Sequence, residues 1–67
     1  MKPKPLSDRH KQVLQMLSEG HQEKVIAQKM GVPISTVNSL TRYVRVREAA
    51  PNNTALVAKA IRNNWIP

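Results

Sequence analysis

The sequence predicts an all-α domain of four short helices, and three observations carry that expectation. Apolar residues recur at spacings of three and four along the chain. Gly20, Gly31, Pro33 and Pro51 divide it into segments of helical length. The 67 residues include no cysteine. No disulfide framework and no thiolate metal site can therefore support the fold, which must rest on an aliphatic core that a partner subunit can supplement.

Residues 1–5, with Pro3 and Pro5, read as a basic, extended arm, and residues 6–67 as one domain. Leu6-Ser7-Asp8 opens the first helix. Ser7 can cap it, and Asp8 sits in the first turn, where the helix dipole favours an acid. Leu6, His10, Val13, Leu14 and Leu17 form its stripe. Gly20 ends it as a residue with positive φ would. The second helix covers about 22–30, with Val25, Ile26, Ala27 and Met30 as its apolar face, and Gly31 breaks it.

Val32 is an apolar plug in the turn that follows. Pro33 opens the third helix near its first turn, where its missing N–H is harmless. That helix spans about 34–47, with Val37, Leu40, Val44 and Tyr43 facing inward. After Pro51, Asn53 or Thr54 is expected to cap a fourth helix over about 54–63. Its apolar positions are Leu56, Val57, Ala60 and Ile61, and Trp65-Ile66 closes the chain. The expected core is Leu6, Val13, Leu14, Leu17, Ile26, Ala27, Met30, Val32, Val37, Leu40, Val44, Val57 and Ile61.

Charge narrows the function. Eleven Lys and Arg against four Asp and Glu give +7, and the pI is about 10.7. That is the electrostatic footprint of a polyanion binder. The excess is uneven: residues 1–20 carry +2, residues 21–47 carry +4 and residues 48–67 carry +1. The third helix stands out. Its polar face reads Ser35, Thr36, Asn38, Ser39, Thr41, Arg42 and Arg45, with no acid before Glu48. A merely solvated helix mixes Glu with Lys at i, i+4. Short hydrogen-bonding side chains and Arg without acids suit a phosphate-lined groove. Asn can pair with adenine and Arg with guanine in the major groove, while Ser and Thr can bond phosphates and fix register.

The turn between the second and third helices has helix-turn-helix form. Ala27 is small enough to let the third helix approach, Gly31 makes the turn, and Val32 and Val37 are buried aliphatics on either side of it. Other chemistry finds no support. His10 and His21 lie eleven apart with no cysteine, which is not a metal spacing. With one aspartate and no glycine-rich phosphate loop, no catalytic arrangement is credible and an enzyme is not expected. Neither a cofactor nor a small-molecule ligand is expected. No apolar run approaches a membrane span.

These residues resemble the LuxR-type (GerE, or NarL/FixJ-like) DNA-binding domain of bacterial regulators. The family pattern Leu-Thr-x-Arg-Glu-x-x-Val-Leu stands here as Leu6-Ser7-Asp8-Arg9-His10-Lys11-Gln12-Val13-Leu14. Its later Leu, Gly and Lys-Glu-Ile-Ala stand as Leu17, Gly20 and Lys24-Val25-Ile26-Ala27. Its Leu-x-Ile-Ser-x-x-Thr-Val-Lys stands as Met30-Gly31-Val32-Pro33-Ile34-Ser35-Thr36-Val37-Asn38. The chain departs from the pattern at His10 for Glu, Pro33 for a Ser cap, Asn38 for Lys, Leu40 for His and Arg47-Glu48 for Lys-Leu. The Gly31-Val32-Pro33 turn with Thr36-Val37-Asn38-Ser39 also looks like region 4 of bacterial sigma factors, a more distant relative. The helix at Ala55-Leu56-Val57-Ala58-Lys59-Ala60 favours the LuxR type.

The resemblance implies a four-helix helix-turn-helix domain that regulates transcription, bacterial or phage-like in origin. It implies base contacts from Asn38, Ser39 and Arg42, and phosphate contacts from Lys24, Ser35, Thr36 and Arg45. It also implies a homodimer formed through the fourth helix, expected to use Ala55, Ala58, Lys59 and Arg62. The expected partner is double-stranded DNA, and the expected location is the cytoplasm, on the nucleoid. The start at Met1 with its short Pro/Lys arm favours a standalone domain. The rival expectation is a protein-interaction module that binds and antagonises a host regulator or RNA polymerase.

Overall fold

The computed structural model describes residues 6–67, so the arm expected at residues 1–5 lies outside the described residues. Four helices follow one another, α1 (Asp8–Ser18), α2 (Glu23–Met30), α3 (Ile34–Arg47) and α4 (Asn53–Arg62). Among the described residues there is no strand. This is the expected all-α class. Two of the four helices begin at a side-chain cap. The Ser7 hydroxyl accepts the His10 N–H at the start of α1, and the Asn52 side chain accepts the Ala55 N–H at the start of α4. The α4 cap is therefore Asn52, not Asn53 or Thr54, because only Asn52 takes the extended backbone a cap requires. Pro33 occupies the cap position of α3, immediately before its first turn, with ψ of 151°.

All four helices end in the same way. Near each helix end one N–H returns to a carbonyl five residues back: His21 to Met16, Val32 to Ala27, Ala50 to Arg45 and Trp65 to Ala60, at 2.9–3.1 Å. This closure needs one left-handed residue after the helix. Gly20 and Gly31 supply it for α1 and α2, with φ of 91° and 69°. Ala49 and Asn64 supply it for α3 and α4, with φ of 55° and 59°. Alanine pays a Cβ penalty there that glycine does not.

Helices α1 and α3 each pack against all three other helices. Two apolar clusters result. Leu6, Leu14, Val44, Leu56, Ala60 and Ile66 fill one, between α1, α3 and α4. Val13, Ile26, Ala27 and Val37 fill the other, between α1, α2 and α3. Leu17 packs against both. Three expectations are corrected here. Ile61 is 49% exposed, because α4 turns Leu56 and Ala60 into the core instead. Tyr43, expected inward, is 51% exposed. Thr41, expected on the polar face, is only 1% exposed, since it lies one turn from both Val37 and Val44 and shares their side of α3.

Candidate nucleic-acid interface

With Val37, Thr41 and Val44 facing the core, helical periodicity fixes the opposite side of α3. Ser35, Ser39, Arg42 and Val46 form its outermost ridge, and all four are exposed. Asn38, on one flank of that ridge, is exposed as well. Thr36 and Arg45 are half-buried. Lys24 is exposed in the first turn of α2. The structure thus brings Asn38, Ser39 and Arg42 onto one accessible surface with Ser35. It places Thr36 and Arg45 at the margins of that surface and Lys24 on the preceding helix.

The carboxylates are arranged to leave this surface positive. Glu23 Oε1 accepts from Thr41 Oγ1 at 2.8 Å and from Asn53 Nδ2 at 3.2 Å. Glu48 lies 3.3 Å from Arg47 Nε and 3.7 Å from Lys59 Nζ. Glu19 faces His21 at 4.0 Å. Among the described residues no carboxylate lies within 4.0 Å of Lys24, Arg42 or Arg45. Unpaired cations on a helix free of acids attract a polyanion, and every phosphate they meet releases condensed counterions.

The Glu23 cluster also sets geometry. Its two bonds tie the first turn of α2 to the middle of α3 and to the first residue of α4. Thr41 Oγ1 is 3.0 Å from the Asn38 carbonyl oxygen as well, within its own helix. This buried tie fixes how far α3 projects from α2. Residue types alone did not reveal it, because Thr41 counts as polar surface until its position among Val37 and Val44 is used.

The other flank of α3 meets α1. The Tyr43 ring lies 5.1 Å from the His10 ring, tilted by 42°. Ser7 Oγ accepts the His10 N–H at 3.3 Å and lies 2.5 Å from Nδ1. The hydroxyl proton can complete that second bond only to an unprotonated Nδ1. Burial, and then the charge of Arg47, hold the His10 pKa below its ordinary 6.5.

On α4 the outward face is Thr54, Ala58, Ile61 and Arg62, all exposed. Of the residues expected to form a dimer contact, Ala58 and Arg62 lie on this face. Ala55 and Lys59 are half-buried at its edge. Lys59 is already engaged, donating from Nζ to the Glu48 carbonyl oxygen at 2.9 Å. Two apolar residues face outward against expectation: Ile61 was expected in the core, and Val46 was not singled out in the sequence. The signal for Val46 was its place seven residues from Ser39 and four from Arg42.

Among the described residues no group of three His, Asp or Glu side chains could hold a metal ion. No described helix is long and apolar enough to cross a membrane. The family model for bacterial regulatory proteins of the luxR family (GerE) matches residues 4–60. No curated protein and no solved structure gives a comparable match.

Proposed function

As a member of the LuxR family of bacterial regulatory proteins, the chain is a DNA-binding helix-turn-helix domain, and we propose that it reads a specific duplex sequence as a homodimer. One observation carries this reading: the ridge of α3 combines exposed Ser35, Ser39 and Arg42 with exposed Asn38 beside it, and among the described residues no carboxylate lies within 4.0 Å of Arg42. In this account α3 enters the major groove. Arg42 forks onto a guanine edge, Asn38 pairs with an adenine edge, and Ser39 bonds a neighbouring base. Lys24, Ser35, Thr36 and Arg45 hold phosphates and fix the register. The Glu23–Thr41 tie keeps α3 at a constant height above α2, so that base and phosphate contacts form together.

The dimer rests on α4. Its outward Ala58 and Arg62, with Thr54 and Ile61 beside them, form a face that the described residues leave uncovered. Pairing two such faces would present two copies of α3 to half-sites about one helical turn apart. DNA in the cytoplasm, on the nucleoid, is the substrate this reading requires.

Arg42 provides the test. Arg42→Ala should cost about 1–3 kcal/mol on the preferred site and relax selectivity at one base pair per half-site. Arg42 is exposed, so the fold should survive the change. Unchanged affinity and selectivity would remove α3 from the recognition surface. They would favour a protein partner, such as RNA polymerase or another regulator, in place of DNA.

A further inference from the structure

The ridge of α3 carries one residue that neither phosphate nor base hydrogen bonding explains. Val46 is 73% exposed, more than Ile34, Tyr43 or Ile61. It stands on the line of Ser39 and Arg42, directly opposite the core positions Val37, Thr41 and Val44. Guanidinium groups bracket it. The hollow on one side is lined by Ser39, Arg42, Tyr43 and Arg47, and the hollow on the other by Arg42, Arg45, Ala49, Ala50 and Pro51. In the duplex-reading account this ridge faces the floor of the major groove, so Val46 meets that floor together with Ser39 and Arg42, while Arg45, with no carboxylate within 4.0 Å among the described residues, meets a phosphate wall.

The floor of the major groove offers hydrogen-bonding edges and one apolar feature, the C5 methyl of thymine. A valine pressed against any other edge would bury that edge without a partner, at a cost in affinity. We infer that Val46 reads a thymine methyl, within about two base pairs of the pair read by Arg42. One turn of helix is about 6 Å of rise, and only its component along the duplex axis counts against a base-pair rise of about 3.4 Å. The inference rests on the duplex-reading function proposed above and adds to it a preference for thymine close to that pair.

The test removes the methyl and nothing else. A preferred site is first selected from random duplexes with the full chain, and the pair read by Arg42 is located with Arg42→Ala. Each thymine of the site is then replaced singly by deoxyuridine. Wild-type protein should lose about fourfold in affinity at one thymine per half-site, the value of about one buried methyl group. Val46→Ser should bind the thymine and deoxyuridine sites equally, with unchanged affinity for scrambled DNA. Equal binding of both sites by the wild type at every thymine, on a site still selected and still sensitive to Arg42→Ala, would overturn the inference and leave the duplex-reading function standing. Failure to select any site would overturn both.

Discussion

The Thr41 hydroxyl donates to the Glu23 carboxylate across a 2.8 Å hydrogen bond, and through it the middle of α3 is fixed to the first turn of α2. Asn53 Nδ2 donates to the same carboxylate oxygen from α4. Replacing Thr41 with Val keeps the shape and removes the bond, and should cost about 1 kcal/mol. For a domain of this size that corresponds to a fall in Tm of about 4–8 °C. Glu23→Ala should cost more, because it takes the acceptor from Thr41 and Asn53 together, and the Asn53 Oδ1 atom is already buried without a partner. Thermal unfolding followed by circular dichroism decides the order of the two variants. A neutral Glu23→Ala would show that the tie contributes nothing.

The helix ends give a prediction of opposite sign. Ala49 holds φ of 55°, a conformation glycine adopts without penalty. Ala49→Gly should raise stability by up to about 1 kcal/mol, the left-handed penalty of about 1–2 kcal/mol less the entropy glycine adds to the unfolded chain. Gly31→Ala should lower it by about 1 kcal/mol, although nothing lies within 4 Å of the added Cβ. Its cost is backbone strain alone, so Gly31→Asn should fall between the two. Equal stability of Gly31→Ala and the wild type would contradict the account.

Acid should weaken the fold through His10. Its pKa is lowered in the folded chain, first by burial and then by Arg47. Near the ordinary value of 6.5 the unfolded chain therefore binds more protons than the folded one, and stability rises with pH there. The contribution of the neutral ring is present in full above 6.5 and is lost as pH falls through the lowered native value. Tm should thus drop further on acidification for the wild type than for His10→Gln. Parallel curves would show that burial and the charge of Arg47 do not hold His10 in its neutral form.

Helix α4 separates stability from assembly. Leu56 is fully buried, and Leu56→Ala should cost about 2–5 kcal/mol. Ile61 faces outward, so Ile61→Glu should leave the unfolding of the monomer nearly unchanged. If α4 forms the dimer contact, the same variant should shift sedimentation toward the monomer and weaken binding to a two-half-site duplex, with little effect on a single half-site. Undisturbed self-association in Ile61→Glu would place the contact elsewhere.

These variants also mark what was legible in the sequence. The fold class was, since the spacing of Val13, Leu14 and Leu17 and the stops at Gly20 and Gly31 act within a few residues of chain. The stop at Ala49 was not, because its left-handed turn is imposed by the Ala50 to Arg45 closure and the core beneath it. In α4 the run Leu56, Val57, Ala60 and Ile61 offers two overlapping apolar stripes. Only the packing of α1 and α3 chooses Leu56 and Ala60 and leaves Ile61 outside. On α3 the exposed face of Asn38, Ser39 and Arg42 was legible from residue type and the absence of acids. Thr41 and Val46 were not, because each occupies a position its polarity argues against.

Recognition by α3 is tested most directly by selecting from random duplexes and titrating the enriched site against a scrambled one. The account predicts a site with two related halves, bound at least about 10³-fold better than scrambled DNA at physiological salt. Affinity for both should fall steeply between about 50 and 200 mM salt, as phosphate contacts require. Equal, salt-sensitive binding to both duplexes would contradict sequence reading and reduce the surface of α3 to a basic patch.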